Sequence, residues 1–250
     1  MAREATYRFD VFTSVASFVV RIYLLRTVWI ALYAHNAAPR ALPLHAILTY
    51  SAVALLMGLI MDIDQTNALH DKLHDGSIAL DFMKPIVVPL YFFADGTGEV
   101  LFRALLIVPS LALALLFVHI DVPSVETLAA FALSFLLGYS VGFFINFILN
   151  CTAFWTLEIS AVQLITTWLT DILGGEIVPL VLFPVALQHV VYALPFAAMF
   201  STPLLIYVGV IPAARYPEAL GLQALWVAVL GAVATLVWRA GARRVVVQGG

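Results

Sequence analysis

Residues 128–149 read LAAFALSFLLGYSVGFFINFIL, without one Asp, Glu, Lys or Arg. A helix needs about 20 apolar residues to cross roughly 30 Å of hydrocarbon, and this run supplies them. Runs of the same kind lie on either side of it, at roughly Val11–Tyr33, Leu44–Met61, Val100–Val118, Trp155–Leu173 and Leu220–Trp238. Composition agrees: of 250 residues 63% are hydrophobic and 11% charged, with a mean hydropathy of +1.03. A soluble domain is about 45–50% apolar and about 25% charged. A water-soluble fold of this length could not hide so much apolar surface. The chain therefore reads as an all-α, polytopic membrane protein, a single transmembrane domain over residues 1–250 with six transmembrane helices.

Three stretches do not fit a plain span. Residues 62–77, DIDQTNALHDKLHDGS, repeat Ile63, Thr66, Leu69 and Leu73 at helical spacing with charges on the other face. This predicts an amphipathic helix outside the membrane core, ended by Gly76. Residues 78–93 turn apolar again but are broken by Pro85 and Pro89. Residues 176–212 are apolar yet punctuated by Pro179, Pro184, Pro195, Pro203 and Pro212. That is too many breaks for one span and too apolar for a loop. Two short helices dipping in and out would fit, their irregular backbone shielded by protein.

Basic residues near span ends set orientation. Arg3 and Arg8 precede the first run, and Arg239, Arg243 and Arg244 follow the last. With both termini cytoplasmic the number of crossings is even, and six fit if 176–212 is a re-entrant hairpin on the outer side. The 62–77 helix, with Lys72 and nearby Lys84, then lies in the cytoplasm. The polar N-terminus MAREATYRFD lacks a clear small-residue cleavage site and reads as a retained end, not a signal peptide. No internal repeat is visible.

Few residues suggest chemistry. No Gly-Lys pair exists, so the chain holds no nucleotide by a P-loop. No basic cluster beyond the C-terminal arginines points to nucleic acid. Cys151 is the single cysteine, which excludes an intrachain disulfide. Gly138-Tyr139-Ser140-Val141-Gly142 matches a nucleophile-elbow pattern, but that motif needs a strand, a sharp turn and a helix. Here it sits mid-span, where Gly-x-x-x-Gly favours close helix packing. His70 and His74 have metal-ligand spacing, but the amphipathic pattern already explains both as a solvated helix face, and no metal site is expected. Glu99 and Arg103 stand at i, i+4 in the order that favours an intrahelical ion pair. Arg21 and Arg26 either snorkel or meet a polar partner. Asp171 and Glu176 flank the Gly174-Gly175 stop and either end a helix or line a path. Trp29, Tyr33, Tyr91, Trp155 and Trp168 read as interfacial anchors.

Three stretches carry a resemblance. The first is residues 76–85, GSIALDFMKP, opening on glycine and closing on Lys84 and Pro85. The second is Ala153-Phe154-Trp155-Thr156. The third runs from Gly174-Gly175-Glu176-Ile177-Val178-Pro179-Leu180 through Phe183-Pro184 and Leu194-Pro195-Phe196 to Tyr207-Val208-Gly209. In order and spacing they resemble the ABC-2 type permeases, in which a six-span membrane subunit partners a separate ATPase. The likeness covers about residue 60 to the C-terminus.

The resemblance implies a cytoplasmic coupling helix that docks on the ATPase, here Asp64, Leu69, Asp71, Lys72, Leu73, Asp75 and Gly76. Lys84 and Pro85 would set the return into the membrane. Asp171, Glu176, Pro179, Pro184, Pro195 and Phe196 would form a substrate path or outer lid. It further implies an exporter in the cell (inner or plasma) membrane, lipid around it, and a second permease subunit, identical or related. This chain would bind no cofactor and catalyse nothing, with ATP and Mg on the partner ATPase. One alternative is an ion- or proton-coupled carrier, which Arg21 and the Glu99–Arg103 pair suit but the missing repeat does not. Another is a lipid-modifying enzyme, which would need His119 with Asp121 and Glu126, or Asp171 with Glu176 and His189, to converge. Ser140 has no evident base beside it.

Overall fold

Most of the helix Leu44–Met61 is enclosed by protein, whereas the other long apolar helices keep most of their surface outward. In this computed structural model, residues 2–35, 42–61, 69, 72, 76–78, 87–156 and 159–248 are described. Among them the regular structure is helical, with no strand. The helices are α1 (Ala2–Ala34), α2 (Leu44–Met61), α3 (Val88–Arg103), α4 (Ile107–Phe117) and α5 (Val125–Cys151). They continue as α6 (Ser160–Leu173), α7 (Val185–Ala193), α8 (Ser201–Tyr207) and α9 (Tyr216–Gln248). Short 3-10 turns fall at Ala104–Leu106, Thr152–Phe154, Leu180–Leu182, Pro195–Ala198 and Ala213–Arg215.

Local chemistry explains the boundaries. Ser124 caps α5, its hydroxyl accepting from Thr127 N at 3.2 Å. The third expected span begins twelve residues earlier than Val100, at Val88. Pro89, read from sequence as a break, occupies the first turn of α3, where a missing N–H costs nothing. Pro109 then disrupts the bond to the carbonyl four residues back, and the helix tightens to a 3-10 turn over Ala104–Leu106. Gly175 opens the passage after α6 with φ +83, a conformation that suits glycine.

Among the described residues four segments are long and apolar enough to cross a membrane: Val15–Ala34, Leu44–Met61, Val125–Phe154 and Ala213–Arg244. The remaining two expected spans fall on the interrupted α3–α4 helix and on α6. The latter has 14 residues, or about 21 Å at 1.5 Å per residue.

Contacts fix the helix directions. α1 and α2 are antiparallel: Tyr33 OH donates to Leu42 O and Trp29 Nε1 donates to Ser51 Oγ at 2.9 Å. Trp29 is thus buried in protein, not held at an interface, because its indole N–H finds a partner on α2. α5 and α9 are parallel. Thr127 pairs with Tyr216 and Ser134 with Gln223, each 89 residues apart, while Phe147 and Phe154 meet Trp238 at the far end. The chain between these helices must therefore return from one face of the bundle to the other. The central core joins α2 to Phe18 and Ile22 of α1, Ala114 of α4, Val141 and Ile145 of α5, and Met199, Phe200 and Leu204.

Candidate functional site

The first candidate region surrounds the segment after α2. Leu69 is fully buried and clusters with Ile78, Val88, Phe92, Phe147, Cys151, Ala234 and Trp238. Leu69 and Ile78 are therefore seated where α5 and α9 come together. Lys72 Nζ lies 5.4 Å from the ring centroid of Tyr91 and 5.2 Å from that of Phe92, within cation–π range. Gly76 is exposed with φ +77, a turn conformation that glycine adopts freely. Asp64, Asp71, Leu73, Asp75, Lys84 and Pro85 lie outside the described residues, as do His70 and His74. Among the described residues no group of three His, Cys, Asp or Glu could hold a metal ion.

The second region is the passage after α6. Gly175 packs so tightly that an added Cβ would meet Tyr50 OH at 3.0 Å, Leu180 Cγ at 3.1 Å and Ser201 Cβ at 3.2 Å. Tyr50 OH donates to Gly175 O at 2.7 Å, and Ser201 N donates to Gly174 O at 2.8 Å. Glu176 turns back along α2 to Gly58, where its Oε1 lies 2.6 Å from the place of a Cβ. Tyr50, Ala54 and Gly58 follow one another at i, i+4 on one stripe of α2, so the glycines and Glu176 descend along that stripe. Asp171, on α6, is half-buried and within electrostatic reach of Arg21 on α1. The two charges that sequence reading left open thus lie near each other, as polar groups at membrane depth usually do.

The prolines of this passage start its turns. Buried Pro179 precedes the 3-10 turn Leu180–Leu182, exposed Pro184 precedes α7, and Pro195 opens the turn Pro195–Ala198. Gln188 ties the first two together, its Nε2 donating to Val181 O at 2.9 Å and Phe183 O at 2.8 Å. Phe196 packs against the central core. The chain then reaches α5 at Gly138, where a Cβ would meet Met199 O at 2.6 Å and Ala198 O at 2.9 Å. Gln223 completes the junction. Its Nε2 donates to Ala198 O at 2.7 Å and Ser134 O at 3.0 Å, and its Oε1 accepts from Ser134 Oγ at 2.8 Å. From there α8 runs back beside α5, ending with Tyr207 edge-on to Phe131 at 5.1 Å.

Other candidates resolve more simply. Ser140 Oγ donates to Leu136 O of its own helix at 2.8 Å, so the glycine pattern serves close packing. Arg103 donates to Glu99 Oε1 through Nη2 at 3.0 Å and Nε at 3.2 Å, the expected intrahelical pair. His119 and Asp121 approach to 3.8 Å but stand in the open.

Tyr50, Gly58, Ser134, Ser201 and Gln223 were not singled out from sequence. A lone polar residue inside an apolar run was the available signal, since such residues bond between helices. The family model for ABC-2 family transporter proteins matches residues 12–249. No curated protein and no solved structure matches the chain. A match over almost the whole length, on a helical body with four segments able to span a membrane, means that this chain belongs to the ABC-2 family of membrane transporters.

Proposed function

We propose that the chain is the permease subunit of an ATP-driven ABC exporter. It forms the substrate path and couples to a separate cytoplasmic ATP-binding subunit, which carries ATP and Mg. A second permease subunit, identical or related, completes the path. Beyond family membership, one observation carries this reading: Leu69 and Ile78 share a buried cluster with Ala234 and Trp238, toward the end of α9 that bears Arg239, Arg243 and Arg244. Leu69 and Ile78 thus lie on the face of the most basic stretch, which is the cytoplasmic face by charge bias. An ATPase docked on the polar side of 62–77 would press on α3, α5 and α9 through the apolar side.

The helix directions support six crossings with both termini cytoplasmic. Because α5 and α9 are parallel, residues 155–215 make one net crossing, with α6 as its body and 176–212 as a re-entrant lid. Asp171 and Glu176 would line the path below that lid, and Pro179, Pro184, Pro195 and Phe196 would shape it. The membrane is the cell (inner or plasma) membrane.

The test is co-purification from the native host. A P-loop ATPase should accompany the wild-type chain and be lost from Asp71→Lys/Asp75→Lys while the permease remains folded. If no ATPase accompanies either form, the exporter reading fails.

A further inference from the structure

We propose that Arg239, Arg243 and Arg244, with Trp155, form a binding site for the phosphate headgroup of an anionic phospholipid. All three arginines are exposed, and they follow directly on the apolar stretch of α9. Arg239 and Arg243 stand at i, i+4, so one turn of helix presents both guanidinium groups on the same side. Arg244 lies toward the end of α5, its Cζ 6.0 Å from the Trp155 ring centroid. Among the described residues none of the three forms a salt bridge.

The site is held in place from behind. Gly241, in the middle of the cluster, faces inward and is buried. A Cβ there would overlap Phe154 Cδ2, so the Phe154 ring occupies the space a side chain would need. Phe154 also meets Trp238 edge-on at 5.5 Å. This interlock fixes the arginine-bearing turn against the 3-10 turn that ends α5, and that turn sends the half-exposed Trp155 outward.

The chemistry selects the ligand. Guanidinium forks match phosphate oxygens with two bonds each. An indole at the end of a spanning segment sits among headgroups with its apolar body toward the acyl chains. A free anion would use the arginines but gain nothing from Trp155, so a lipid headgroup is the occupant.

The test purifies the full chain in detergent and measures its binding of phosphatidylglycerol and of phosphatidylcholine, each added in mixed micelles. Arg239→Gln, Arg243→Gln and Arg244→Gln are made singly and together, and Arg215→Gln serves as a charge control at the opposite end. Wild type should prefer phosphatidylglycerol, and each of the three changes should weaken that preference about fivefold. Trp155→Ala should weaken it as well, without removing charge. Arg215→Gln should leave it intact. An equal loss in Arg215→Gln, an unchanged preference in the triple variant, or full competition by inorganic phosphate with no effect of Trp155→Ala would overturn the proposal. Near-ultraviolet circular dichroism verifies that each variant is folded.

Discussion

Glu176 fills the room that Gly58 leaves on α2: a methyl group at that glycine would meet the carboxylate oxygen at 2.6 Å. The passage after α6 is thereby keyed to the central helix by one missing side chain and one acidic group. Gly58→Ala should shift the thermal midpoint of the purified chain little, because the obstructing atom is the end of a flexible side chain and alanine gains about 0.5–1 kcal/mol over glycine within a helix. A fall in midpoint as large as that of Gly138→Ala would mean that the Glu176 carboxylate cannot swing aside.

Gly138 faces backbone oxygens in place of a flexible side chain. Gly138→Ala should therefore cost at least about 1–3 kcal/mol, because the carbonyls of Ala198 and Met199 cannot swing aside without moving their segment. Ser140→Ala, two residues away, should stay within about 0.5 kcal/mol of wild type and leave transport unchanged. Loss of function in Ser140→Ala with normal folding would revive a catalytic role for the serine.

Gln223 joins three segments through a single amide. Gln223→Leu should cost about 1–3 kcal/mol by leaving buried carbonyls unpaired. Ser134→Ala removes one of the three bonds and should cost less. Thermal unfolding of the two variants side by side gives the ratio, and a larger effect at Ser134 would contradict the arrangement.

Leu69 belongs to the permease's own interior. Leu69→Asp places a carboxylate where no water reaches, so the yield of folded chain should fall even when no other subunit is present. Lys72→Met keeps the side-chain stem over Tyr91 and Phe92 and should preserve folding, with the loss of a cation–π contact worth about 0.5–1 kcal/mol. Expression and size-exclusion profiles separate the two outcomes.

The helical, membrane-bound character of the chain was legible because it rests on long runs such as 128–149, where length and apolarity act together. Boundaries were less so. Pro89 and Pro109 look alike in sequence, yet one opens a helix and the other tightens it, and position relative to the helix start decides which. Trp29 shows the same ambiguity, for an indole near a span end suits a headgroup layer as well as a hydroxyl such as Ser51. The prolines at 179, 184 and 195 correctly marked broken structure between α6 and α9. Their partners were hidden, because Gly58, Tyr50 and Gln223 are distant in sequence and carry no motif. The role proposed for Asp64, Asp71, Leu73 and Asp75 would depend on groups beyond this chain, which no intrachain pattern records.

The parallel pairing of α5 with α9 also governs the order of biogenesis. Translation delivers α5 long before its neighbour, since the residues that meet are 89 positions apart. Until the ribosome has nearly finished, Ser134 and Phe147 have only lipid, the translocation machinery or earlier helices to face. The last helix made is thus a closing stave, and a chain cut short anywhere before Tyr216 would leave the insertion machinery holding an open groove down the length of α5.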